Sequence, residues 1–430
     1  MLHPQAKKRL LEELKKALPS LAIRHGLFLE SFIAFLALHK AEEVIPKTGK
    51  LRVVYEEWID DTPVTTFVGG RLREELRRDS KYESGDKLKK LGEIEGFNDT
   101  DALAQSLVEE FDRLPHKYTL TMHFPDALPT FPKDRTAVQL GRRSRLALCD
   151  LFFREAYPTQ HEDKEVMDRI SGRSGMFLGV VDDFNWTDDA PYFQVEATGY
   201  IGPYGSGSQF DEANRALRRF VGLGLGLKLF AYEQQYKAFP TKRFWIIHTK
   251  DSDHWRIHDR LDVDGDDAGV LDGLKLWNSF ESSYPEEHKI PWLQSVLIHL
   301  SAALGAPATT NVALAAEWFF DSFKGRDETL TYVRRMTCIE ILCGEHADTS
   351  KVSLGELLGN RLAYLIGRSH ADREKVLRDF RDIYSLRSRI LHHGKHRFSL
   401  EERAHLWALR GFCERALEAE AKMLAADADS

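Results

Sequence analysis

The sequence predicts an α+β protein, with a mixed or β-rich N-terminal domain followed by a C-terminal all-α helical bundle. Three observations predict it. Between residues 117 and 249, short runs rich in β-branched and aromatic residues alternate with loops rich in Gly, Pro and Asp. From about residue 290 to 424, apolar residues recur at helical spacing in six segments joined by short connections. Between the two regions, residues 259–288 are acidic and contain Gly, which reads as a connector. The expected division is therefore 1–285 and 286–430, with a sub-boundary near 116.

Composition narrows the classes of function. The chain has 430 residues, of which 43% are hydrophobic and 30% charged, the balance of ordinary globular domains that bury their own cores. Lys and Arg number 60 against 67 Asp and Glu, a net charge of −7, so this is no basic nucleic-acid coat. A polyanion site has to be a local patch on an acidic body. The most apolar run, residues 27–38, carries Glu30 and is too short and too charged to cross a bilayer. The N-terminus shows no secretory layout, so a cytoplasmic protein without a membrane partner is expected. Cys149, Cys338, Cys343 and Cys413 form no C-x-x-C pair and read as small buried thiols of a reducing compartment.

Along the N-terminal part, Leu10, Leu11, Leu14 and Leu18 predict a helix over 4–18, and Phe28, Phe32, Phe35 and Leu36 a second over 26–44. Residues 80–100 are polar and read as a long loop. Strands are expected at 118–124, 144–151, 176–181, 192–201 and 244–248, with a long helix at 210–236. Gly222, Gly224 and Gly226 match no phosphate-loop spacing, so close packing is the better reading. The run from Asp262 to Asp267 opens like a calcium loop but lacks its Gly and its bidentate Glu, and reads as a solvated linker. His248, His254 and His258 lack an accompanying H-E-x-x-H arrangement, and surface or core roles are expected for them.

The C-terminal helices are expected at 290–304, 311–324, 327–343, 353–366, 372–392 and 399–424. Ser353 with Glu356, and Ser399 with Glu402, have the spacing of capping boxes. Gly344, Gly367 and Gly394 stand where left-handed caps would end helices.

One of these helices carries the chemistry. With Val376 at zero on a helical wheel, Ile383 falls at about −20°, Phe380 at about 40° and Arg387 at about 20°, each residue turning about 100°. A guanidinium on the apolar stripe requires a carboxylate, a partner chain or an anionic ligand, because an unpaired buried charge is too costly. His392 lies about 140° from Arg387 on an ideal helix. The two converge only where the helix frays at its Gly394 cap or where a second chain supplies the complement, and His393 is the neighbouring alternative.

Several stretches then fall in succession. Trp318 to Phe323 precede Met336, Thr337, Cys338, Ile339 and Glu340. Leu357 to Leu365, with Arg361 among them, precede Tyr384, Ser385, Leu386, Arg387, Ser388, Arg389, Ile390, Leu391 and His392. In this succession residues 316–394 resemble the Apea-like branch of the HEPN superfamily, whose signature is Arg, a polar residue, three variable residues and His. Arg387, Ser388 and His392 match it in order. Where the family commonly has Gly after the His, this chain has His393 and then Gly394. The resemblance covers under a third of the chain.

The resemblance implies a metal-independent endoribonuclease without cofactor, acting as a homodimer through the C-terminal domain with both motifs lining one cleft. Its RNA substrate would be cut by attack of the 2′-hydroxyl. A histidine would move the proton, an arginine would stabilise the developing charge, and Ser388 would be a polar partner. Glu340 and Arg361 match positions near the family's site; an internal ion pair is the competing assignment for them. The family's settings imply a toxin-like effector of anti-phage defence or abortive infection, with a phage-derived protein trigger acting at the N-terminal domain. The alternative is a non-catalytic HEPN scaffold that binds RNA, nucleotide or a protein partner.

Overall fold

The structure is a computed structural model that describes residues 2–24, 28–29, 31–78, 89–124, 137–159, 185–234, 240–277, 286–307, 310–344 and 353–428. The first 112 residues are mostly helical. Helix α1 (Pro4–Ala17) starts on Pro4, where a missing N–H costs nothing, and ends with Lys15 and Lys16 at its negative pole. Strands β1 (Ala22–Arg24) and β2 (Phe28–Leu29) lead into α2 (Ser31–Glu42), α3 (Lys50–Trp58) and α4 (Pro63–Arg78). Strand β3 (Lys89–Lys90) completes a small antiparallel sheet of order β2-β1-β3, and α5 (Thr100–Asp112) closes the unit.

Helices α2 and α5 depart from the sequence expectation, and α4 had none. Helix α4 contains Val64, Thr65, Thr66, Gly69 and Gly70, all weak helix formers, yet Val64, Phe67, Val68, Leu72 and Leu76 repeat at helical spacing and are buried. Packing outweighs propensity there. The second expected helix begins only at Ser31, and Leu36 is exposed while Leu38 and Ala41 face the core. Within the expected loop, residues 80–88 lie outside the described residues, and α5 already begins at Thr100. The core of this unit draws on residues from Leu2 to Leu114 together with Tyr200.

The next stretch builds a six-stranded antiparallel sheet from β4 (His116–His123), β5 (Ala137–Leu140), β6 (Ser144–Leu148), β7 (Pro191–Gly199), β9 (Phe244–Asp251) and β10 (His254–Asp262), in the order β10-β9-β4-β7-β6-β5. The expected strands at 118–124, 144–151, 192–201 and 244–248 match four of these; the one at 176–181 lies outside the described residues. Strict alternation divides the sheet's faces. Tyr118, Leu120, Met122, Phe193, Val195, Trp245 and Ile247 enter the main core. Thr119, Thr121, Gln194 and His248 are buried on the opposite face, where helix α6 (Leu151–Ala156) and Trp186 pack with Tyr157, Tyr192 and Ile246.

Helix α7 (Ser208–Gly226) covers the inner face. It ends at Gly226, short of the expected 236, because Lys228 takes a positive φ of 60° and the chain turns into β8 (Phe230–Tyr232). The supposed connector is structured as well. β10 runs on to Asp262, Asp264 caps α8 (Gly265–Asp272), and β11 (Leu274–Leu276) pairs with β8. Asp267 is fully buried between Arg218 Nε at 2.8 Å and Lys324 Nζ at 2.6 Å, and is not a solvated linker residue.

Helices α9 (Glu286–Gly305), α10 (Val312–Asp321), α11 (Glu328–Cys343), α12 (Leu354–Ile366), α13 (His370–His393) and α14 (Leu400–Ala428) follow within a few residues of their expected bounds. Ser399 and Glu402 form a full capping box: Glu402 N–H donates to Ser399 Oγ at 3.3 Å and Ser399 N–H to Glu402 Oε2 at 2.7 Å. Of the three expected left-handed glycine caps only Gly394 is one, with φ 65°; Gly344 and Gly367 have negative φ. One buried apolar cluster includes residues from Tyr118 on the sheet to Ala421 on α14, on both sides of 286. Its closest crossing is between α7 and α10, where a side chain at Gly222 would meet the backbone of Ala316. The glycines are the close-packing positions that their spacing suggested. No helix among the described residues is long and apolar enough to cross a membrane.

Candidate functional site

Helix α13 positions the residues that the sequence singles out. It begins at the Ser369 cap, whose hydroxyl accepts from Asp372 N, and stays helical through His393. Val376, Phe380, Ile383, Leu386 and Ile390 are buried, and Tyr332 Oη donates to the Ile383 carbonyl at 2.6 Å, tying α13 to α11. The far end is fixed by Glu402, which is 3.0 Å from Arg389 and 3.1 Å from Lys395. Desolvation works to raise the Glu402 pKa, but the Ser399 N–H bond and Lys395 prevail and hold it below the ordinary carboxylate value. It therefore stays ionised between its two cations.

Arg387 is half-buried rather than at the centre of the stripe. In the last turns the buried residues are Leu386 and Ile390, at about −80° and −40° on the wheel, so the core has turned away from Arg387, and Leu391 on its side is exposed. The guanidinium lies 2.9 Å from Glu340 Oε1 through Nε and 5.6 Å from the Tyr384 ring centre. The pair is close in distance but poorly aligned, and Oε1 is shielded from water without a formed hydrogen bond. At 23% and 26% side-chain exposure, such a pair orients Arg387 while stabilising the fold by less than about 1 kcal/mol. The competing pairing of Glu340 with Arg361 is replaced by this one. Arg361 Nη1 instead donates to the Cys343 carbonyl at 2.8 Å and lines a cleft of about 620 Å³ with Asn360, Tyr364 and Glu420.

His392 and His393 are both exposed in the last turn, and Ser388 is half-buried. Because the helix is regular through His393, fraying does not bring His392 to Arg387 within one chain. The two side chains leave the axis about 140° apart and about 7.5 Å apart along it. The face that His392 does share carries Arg378, Arg381, Ser385 and Arg389; the wheel puts Arg381 and Arg389 opposite the apolar stripe, and Arg378 and Ser385 join them there. In contact with each other are therefore Arg387, Glu340 and Tyr384; the half-buried Ser388 stands apart from them, and His392 and His393 are presented to solvent. All four cysteines are buried as free thiols. No group of three or more His, Cys, Asp or Glu able to hold a metal occurs among the described residues. No family model, curated protein or solved structure matches this chain.

Proposed function

We propose that the chain is an endoribonuclease of HEPN type, with a composite site to which two copies contribute Arg387 and His392. The observation that supports this best is the state of Arg387: half-exposed, oriented by Glu340 and Tyr384, on a helix whose end presents His392 and His393 to solvent. A guanidinium held in this way is a ready donor for the charge that develops on phosphorus as a 2′-hydroxyl attacks. An exposed imidazole is suited to moving the proton. Since the two diverge on one helix, the second chain is what unites them. In this reading the protein is a toxin-like effector of anti-phage defence, restrained or licensed by residues 1–285 in response to a phage-derived protein.

The test is cleavage of mixed RNA by the full chain in EDTA, with the ends identified. The expected products carry a cyclic phosphate 3′ to the cut, and plain 3′-hydroxyl ends would refute the mechanism. Arg387→Ala or His392→Ala should each lower the rate by roughly a hundredfold or more, with His393→Ala near wild type. Loss only in His393→Ala would move the acting histidine by one position. A mixture of the Arg387→Ala and His392→Ala proteins should recover about a quarter of wild-type activity, through dimers with one intact site. Full activity in all three single variants would leave the scaffold reading in place.

A further inference from the structure

The exposed face of α13 is locally basic on an acidic chain. Residues 378–397 contain six Lys and Arg against two Asp, a local charge of +4 (6 − 2) on a chain of net −7. Three of these cations are already used: Arg387 by Glu340, while Arg389 and Lys395 share the single carboxylate of Glu402. Asp379 is likewise held by Lys375 at 2.6 Å. Arg378, Arg381 and Arg397 are exposed and have no ion pair or hydrogen bond among the described residues.

Their placement is ordered. On the same wheel Arg381 falls at about 140°, His392 at about 160° and Ser385 at about 180°. Arg378 follows at about 200° and Arg389 at about 220°. They form one stripe that runs about 21 Å along the helix from Arg378 to His392. The acids facing this stripe are few. Asp382 lies at its edge, at about 240°. Glu374, one turn before Arg378, is 3.7 Å from His370. Two neighbouring exposed guanidinium groups without carboxylates, Arg378 and Arg381, on an acidic chain complement a run of phosphates.

We infer that this face is a track for the backbone of single-stranded RNA, which Arg378 and Arg381 hold so that the strand passes His392. The inference rests on the proposed function for its choice of polyanion. It goes further by separating binding from chemistry: Arg378 and Arg381 hold phosphates upstream, and neither takes part in bond cleavage. Sequence-independent contacts of this kind appear as salt dependence.

The test uses the full chain and a fluorescent 2′-O-methyl oligonucleotide, which cannot be cut because its nucleophile is blocked. Affinity is measured from about 50 to 200 mM salt, where each phosphate contact to a single strand contributes about 0.7 to the slope of log K against log salt. Arg378→Gln/Arg381→Gln should make the slope shallower by about 1.4 (2 × 0.7), so the affinity lost over that salt range shrinks by about sevenfold. Arg378→Lys/Arg381→Lys keeps the charge and should keep the slope. Lys8→Gln/Arg9→Gln on α1, equal in charge and exposed, should leave it unchanged. An unaltered slope in the α13 glutamine variant, an equal loss in the α1 control, or binding to anionic vesicles but not to the strand would each overturn the inference. Because the probe is uncleavable, the outcome is independent of the nuclease reading. Strand affinity that depends on Arg378 and Arg381 in a protein that cuts nothing keeps the track and removes the enzyme; cleavage with an unaltered slope does the reverse.

Discussion

Replacing Gly222 by Ala tests how the sheet and the helical bundle are joined. An added Cβ would stand 2.8 Å from the carbonyl carbon of Ala316, with the oxygen closer still. Ordinary contact begins near 3.4 Å, so α7 and α10 must part by at least 0.6 Å (3.4 − 2.8). A gap of that size forfeits a quarter to a half of each dispersion contact across the crossing, at about 0.1 kcal/mol per atom pair. If the crossing is taken as two buried side chains' worth of contacts, roughly 100 pairs, about 3–5 kcal/mol is lost. Higher helix propensity returns about 1 kcal/mol and the buried methyl about 0.8 kcal/mol. The expected net loss is therefore about 2 kcal/mol, with an obstacle that is backbone and cannot rotate away.

Two related substitutions calibrate this value. Gly226→Ala meets Leu417 Cβ and Cδ1 at 2.9 Å and no backbone atom as closely, and should cost less. Gly269→Ala in α8 meets nothing within 4 Å and should stabilise by about 0.5–1 kcal/mol through propensity alone. Urea unfolding followed by near-ultraviolet circular dichroism ranks the three. A Gly222→Ala protein as stable as wild type, or less damaged than Gly226→Ala, would refute the argument that backbone contact at this crossing holds the two parts together.

Three further outcomes are expected. His248 Nε2–H donates to the Pro158 carbonyl at 2.8 Å, Nδ1 is buried without a partner, and burial pushes the pKa down to about 4. With the folded value depressed below the ordinary 6.5, stability is present above about pH 6.5 and falls as pH drops towards 4. The loss between pH 7 and 5 should be about 2 kcal/mol. His248→Gln should flatten that part of the pH–stability curve, and an identical acid loss in the variant would show that other groups cause it. Asp267→Ala leaves the part-exposed Arg218 without its carboxylate and Lys324 with Asp321 alone, and should cost about 3 kcal/mol in urea unfolding; a loss under about 1 kcal/mol would mean that water already reaches the pair. Ser399→Ala removes one half of the capping box on α14 and should cost about 1 kcal/mol, with fraying measurable by hydrogen exchange at residues 400–403, whereas unchanged exchange would show that Glu402 alone holds the turn.

The C-terminal helices were legible in the sequence because each carries its own local signals: a 3.6-residue apolar period, Ser caps and short connections. Four of the six strands of the central sheet were legible for the same kind of reason, since alternation is a local pattern; β5 and β10 were not. The helicity of α4 was also written there, in Val64, Phe67, Val68, Leu72 and Leu76, but its Gly and β-branched residues obscured it. The sequence placed Arg387 and His392 on different sides of one helix, and the regular turn through His393 keeps them there. What it could not supply is contact between residues far apart in the chain. Only the folded chain brings Glu340 rather than Arg361 to Arg387, because that choice depends on how α11, α12 and α13 pack. The acidic stretch after 259 read as a linker because composition reports charge and not its partners; Arg218 and Lys324 surround Asp267 and bury it. Gly222, Gly224 and Gly226 announced close packing, but which backbone they admit is a tertiary fact, and it is Ala316 of the bundle that makes sheet and helices share one core.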